Sequence, residues 1–172
     1  MRQTPFVFAM HMDTMTRPFL IVLLLITLGF TLIPTDNEQI PSDAAISGYD
    51  PVAYFTYRRA TIGLNRYHYV WDNKTWLFSS ARHRDLFAAN PEQYAPQFDG
   101  FCANGLSDGH VIEADPENWR VIEGKLYLYF SNHGREQWSG KAKPLIENAT
   151  STYRKYATRA INEFRLPGQE SN

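Results

Sequence analysis

The sequence predicts an α+β fold: a small antiparallel sheet with helices packed on it, preceded by one N-terminal hydrophobic helix. Three observations lead there. Two aromatic and β-branched runs are each broken by a short turn sequence, a serine-capped amphipathic run follows the first of them, and residues 19–33 carry no charge at all. With 172 residues the chain suits one domain and a tail. Its 17 basic and 18 acidic residues leave no basic footprint, so nucleic acid is not an expected partner. The single cysteine excludes a disulfide framework, a zinc ribbon and any Cys-x-x-Cys pair.

From the N-terminus, residues 1–18 read as a cytoplasmic n-region and 19–34 as a transmembrane anchor or signal segment, the chain's contact with a membrane. Arg17 precedes the apolar run, and Asp36, Glu38 and Asp43 follow it, which sets residues 35–172 on the extracytoplasmic, periplasmic side. Thr31-Leu32-Ile33-Pro34 is a poor cleavage site, so a retained anchor is favoured; if the segment is cleaved, the protein is periplasmic or secreted. Met10-His11-Met12 reads as a cluster of alternative starts rather than a copper site.

Residues 35–45 are polar and aperiodic, a linker, and the ordered domain is expected over 46–140. Tyr67–Trp71 and Thr75–Phe78 form a hairpin about Asp72-Asn73-Lys74, and Ser79 or Ser80 caps a helix running to Asn90. Pro91 begins a further short turn. Asp115-Pro116-Glu117-Asn118-Trp119, an N-cap followed by proline, signals a short helix. Arg120–Ile122 and Lys125–Phe130 make a second hairpin turning at Glu123-Gly124. A helix then spans 141–166, with Leu145, Ile146, Ala149, Tyr153 and Tyr156 on one stripe, and 167–172 is a tail. The expected core is Trp71, Phe78, Leu86, Phe87, Trp119, Leu126 and Leu128. No internal repeat is evident.

Ile46-Ser47-Gly48-Tyr49-Asp50-Pro51-Val52-Ala53-Tyr54-Phe55, Trp76-Leu77-Phe78-Ser79-Ser80-Ala81, Arg84–Pro96, Gly100-Phe101-Cys102-Ala103, Asp115–Trp119 and Gly124–Leu128 follow one another in order. Together they resemble the exported YHS domain proteins over Ile46–Trp138. The resemblance implies a YHS-like α+β fold, and a wider group that includes metal-associated modules with a Phe-Cys-Ser-x-x-Cys pattern. On this chain Ser79 and His83 stand at the two cysteine positions, so that metal site is not carried over; His83 alone retains a ligand type.

Chemistry-bearing residues are few. Cys102 is either a redox or ligand-binding thiol or a small buried hydrophobe, the commoner fate of a free cysteine. His83 and His110 are its best partners, as ligands of a copper or zinc ion or as thiol activators. Tyr49 and Asp50 either line a pocket or serve the turn begun by Pro51, the latter being favoured. Carboxylate pairs, a serine elbow and a phosphate-cradling loop are absent from the sequence. The expectation is therefore a membrane-tethered binding or accessory module, not an enzyme, whose ligand is a metal ion or a small molecule. A thiol-dependent redox protein using Cys102 and a structural partner-binding domain are the alternatives.

Overall fold

The computed structural model describes residues 39–164, and the apolar segment lies outside them. The fold is α+β, with two separate two-stranded antiparallel sheets and packed helices. In chain order the elements are α1 (Ala53–Thr56), β1 (Leu64–Trp71), β2 (Lys74–Phe78), α2 (Ala81–Ala89), α3 (Pro91–Tyr94), α4 (Ala103–Ser107), β3 (Asp115–Ile122), β4 (Lys125–Tyr129), α5 (Asn132–Gln137) and α6 (Ala142–Phe164).

Both hairpins turn through two left-handed residues, Asp72-Asn73 (φ 51° and 56°) and Glu123-Gly124 (φ 49° and 74°). That backbone matches strand twist and suits Asp, Asn and Gly. Ser80 then caps α2 by accepting the His83 amide, and Pro91 opens α3. One expectation fails: Asp115–Trp119 is not a helix but the irregular start of β3. The local signal is still spent, because the Asp115 carboxylate accepts the Glu117 amide in a single turn. Tyr129 pairs with Asp115, and the Tyr54 hydroxyl holds the Pro116 carbonyl, so tertiary partners stop the turn from propagating.

The core has three clusters. Trp76, Phe78 and Phe87 gather under the first hairpin with Val52 and Ala95. β4 is buried on both faces: Leu126 and Leu128 meet Tyr54, while Tyr127 and Tyr129 meet Cys102, Leu106, Trp138 and Ala149. Of the expected core, Phe78, Phe87, Leu126 and Leu128 are buried; Trp71, Leu86 and Trp119 are half-buried. Residues 39–45, read as linker, already pack: Gln39 accepts from Asn65, and Asp43 accepts from Thr75. The C-terminal helix α6 shares the second core through Ala149.

The expectation of no repeat is overturned. A left-handed turn at Ile46-Ser47-Gly48 recurs at Phe98-Asp99-Gly100, each with three consecutive positive φ values. Antiparallel bridges Tyr49–Ile62 and Phe101–Glu113 follow, then the parallel bridges Ala44–Thr75 and Pro96–Leu126 match. The register slip between Leu64 and His68 of β1 reappears between Asp115 and Trp119 of β3, an offset of 51 positions (64 to 115, 68 to 119). Ser80 caps α2 as Ser131 caps α5. Phe87 stacks on Trp76 and Phe78 as Trp138 stacks on Tyr127 and Tyr129. The domain is one supersecondary unit built twice.

Candidate functional site

In the first half Asp50 follows the left-handed turn and is fully buried. Its Oδ1 accepts the amides of Val52 (2.9 Å) and Ala53 (3.2 Å), which are among the orphan donors at the start of α1. Oδ2 accepts the Ser79 amide (2.8 Å), the Ser79 hydroxyl (2.7 Å) and Nδ1–H of His83 (2.6 Å). Five donors replace the water a buried carboxylate loses. Asp50 therefore does cap the Pro51 turn, and it also ties that turn to the β2–α2 junction.

His83 is 3% exposed. Its Nε2 lies 3.0 Å from the Thr56 hydroxyl, and the Tyr57 ring covers the imidazole at 4.6 Å between centroids. The row Asp50–His83–Thr56 has the order of a nucleophilic relay. The Thr56 hydroxyl, however, also donates toward the Val52 carbonyl (3.1 Å), and the ring is sealed under Tyr57. The row fastens a loop to a helix. Tyr49 takes no part: its hydroxyl donates to Glu117 (2.8 Å), and burial, with the Glu117 carboxylate adding to it, pushes its phenol up to about 12.

In the second half Cys102 takes the place of Asp50. The sulfur, in a residue 2% exposed, accepts the amides of Gly105 (3.3 Å) and Phe130 (3.2 Å). Gly105 lies three residues beyond Cys102 as Ala53 lies three beyond Asp50; Phe130 follows β4 as Ser79 follows β2. The Cys102 amide donates to the Ile112 carbonyl as the Asp50 amide donates to Thr61. Cys102 is thus a free thiol buried among Leu106, Tyr127, Tyr129 and Trp138, as the commoner fate of a free cysteine predicts, and its sulfur is in addition a capping acceptor.

Beside the sulfur opens a cleft of about 350 Å³, lined by Cys102, Asp108, His110, Phe130, His133 and Gly134 among others. His110 and His133 both line this cleft. His83 belongs to the Asp50 cluster instead, so the expected meeting of His83 with Cys102 does not occur. Among the described residues no group of three His, Cys, Asp or Glu side chains is placed to hold a metal ion, and a copper or zinc site on Cys102, His83 and His110 does not fit this arrangement. Two other concavities lie elsewhere, a larger one along the exposed polar face of α6 and one of about 340 Å³ between the left-handed turns near Ser47 and Asp99. Neither is lined by a cysteine or a histidine. No family model, curated protein or solved structure matches the chain.

Proposed function

We propose that the chain is a binding or accessory module of the YHS type, without catalysis of its own, whose ligand site is the Cys102 cleft. The observation that carries this is the contrast between the two halves. In the first, every polar group around Asp50 is satisfied within the protein. In the second, the equivalent acceptor borders an open cleft. The uncharged run 19–33 with its flanking charges supports a membrane tether through residues 19–34 and an extracytoplasmic domain. No helix among the described residues is long and apolar enough to cross a membrane, so the tether rests on that run alone.

The thiol-redox alternative has one supporting feature, a sulfur held by two amides. Against it stand 2% exposure and the lack of a second cysteine to resolve an oxidised intermediate. The cleft reading is tested by a small-molecule fragment screen on the full-length chain, read by ligand-observed NMR and repeated on Cys102→Val. Hits that weaken in the variant support it; hits indifferent to Cys102 contradict it. Reporter fusions after Ala45 test topology, active only for the extracytoplasmic reporter if the tether is as proposed.

A further inference from the structure

We propose that Arg120, Tyr129 and Arg135 form a second site, at the seam between α5 and the second hairpin, for a small carboxylate anion. It goes beyond the Cys102 cleft and does not depend on that cleft being occupied.

Four buried side-chain polar atoms lack a hydrogen-bond partner among the described residues: Asn65 Oδ1, Arg120 Nε, Tyr129 Oη and Arg135 Nε. The last three belong to one seam. Arg120 stands opposite Tyr127 in the ladder, so its side chain shares the sheet face of Tyr127 and Tyr129. Trp138 covers that face, 5.6 Å from the Tyr127 ring and 5.4 Å from the Tyr129 ring. The Arg120 guanidinium donates through Nη2 to the Ser139 hydroxyl (2.8 Å). Ser139 follows α5 with its amide on the Glu136 carbonyl, four residues and so about one turn beyond Arg135. Both arginines are half-buried, and Tyr129 is fully buried. Burial raises the Tyr129 phenol, and the charges of Arg120 and Arg135 both act on it in the opposite sense.

The first half shows the same seam without these groups. Tyr69 stands for Arg120, Phe78 for Tyr129 and Ala88 for Ser139. There Tyr69 and Phe78 stack on Phe87, at 6.3 and 5.2 Å between centroids. Arg84, the counterpart of Arg135, donates from Nε (2.9 Å) and Nη2 (2.8 Å) to Asp85 Oδ1. Glu136, the acid in the place of Asp85, accepts from Asn132 instead, and Arg135 Nη2 is left with the Asn132 amide oxygen. Among the described residues neither Arg120 nor Arg135 is in an ion pair. An aromatic seam with a neutralised arginine has thus become a seam with two unneutralised ones and a phenol.

The chemistry of these groups selects the ligand. Guanidinium only donates, and two cations on one half-buried face repel each other. Water would serve the donors and leave the charge. An anion supplies acceptor and counter-charge together, and a carboxylate offers two oxygens with about four lone-pair sites for the three donors. The phenol lies in a seam packed by Trp138, so the group that reaches it is small and flat. That favours a carboxylate over a tetrahedral oxyanion.

The test is a titration of formate, the smallest carboxylate, into the full-length chain in detergent at neutral pH, read by ligand-observed NMR. Formate is expected to bind saturably with a Kd on the order of 1 mM, near the ceiling for so small a ligand. Chloride and inorganic phosphate should displace it at least about tenfold less effectively. Arg120→Gln and Arg135→Gln should each weaken formate about tenfold, and Tyr129→Phe, which restores the first-half residue, about fivefold. Arg84→Gln, in the other half, should leave binding unchanged, and circular dichroism checks that each variant is folded. Absence of saturable binding, equal displacement by chloride or phosphate, or binding indifferent to Arg120→Gln and Arg135→Gln overturns the proposal. No formate binding together with a higher urea midpoint for Tyr129→Phe would overturn it in favour of water alone.

Discussion

Asp50 and Cys102 hold the same place in two copies of one unit, and each receives the amide three residues ahead and the amide that follows the second strand of its hairpin. What surrounds them has diverged. Asp50 is enclosed by His83, Ser79 and Thr56, whereas Cys102 keeps only the backbone donors and borders a cleft. The first copy is thus a fastening, and the second is the one that borders the proposed site.

If the Asp50–His83 pair is a fastening, removing one partner should cost stability before anything else. His83→Ala leaves the carboxylate four donors, so the loss should fall at the low end for a broken buried pair, about 3 kcal/mol. Asp50→Ala strands the amides of Val52 and Ser79 together with Nδ1–H of His83, while the Ala53 amide keeps the residue 50 carbonyl, and should cost more. Urea unfolding of the two variants measures the order; equal or negligible losses would contradict it.

The two serine caps should be worth similar amounts. Ser80 and Ser131 each accept an amide three residues ahead, at 3.2 and 3.3 Å. Ser80→Ala and Ser131→Ala should each destabilise by about 1 kcal/mol. A loss at only one of them would mean that the halves do not share their frame.

Alkaline pH should unfold the domain early. Burial first, and then the Glu117 carboxylate, raise the Tyr49 phenol to about 12, and burial also raises Tyr54, Tyr129 and Tyr153. An acid whose folded value exceeds its unfolded one near 10 stabilises the fold fully below pH ~10. That contribution is lost as pH rises from about 10 toward 12, because the unfolded chain then sheds protons the folded one retains. Phenolate absorbance followed against circular dichroism should show these tyrosines ionising only as secondary structure is lost. Ionisation of all of them with the fold intact would refute the assignment.

Local chemistry was legible where it was strong. Asp72-Asn73 and Glu123-Gly124 between aromatic runs, serine before a helical period and Pro91 all act in the structure as their residue types dictate. Asp115-Pro116 misled because a one-turn cap and a helix start look alike until Tyr129 and Tyr54 claim the backbone. The duplication was hidden by its own divergence. Gly48 and Gly100, Val70 and Val121, Lys74 and Lys125, Leu77 and Leu128, Ser80 and Ser131, and Arg84 and Arg135 coincide, but most other pairs share at best size, charge or aromaticity. The site pair Asp50–Cys102 is chemically unlike, and only the matching amide donors reveal it. The left-handed turns were signalled only by Ser47-Gly48 and Asp99-Gly100, because Ile46 and Phe98 are poor residues for positive φ.

The central claim, that Cys102 is the capping acceptor equivalent to Asp50, is tested most directly by comparing the stabilities of Cys102→Ser and Cys102→Val in one urea series. Serine keeps an acceptor for the Gly105 and Phe130 amides, so it should lie within about 1 kcal/mol of wild type. Valine fills the volume but leaves both amides unpaired, and should cost about 1–3 kcal/mol. The reverse order, with valine tolerated and serine destabilising, would show a plain buried hydrophobe and contradict the account.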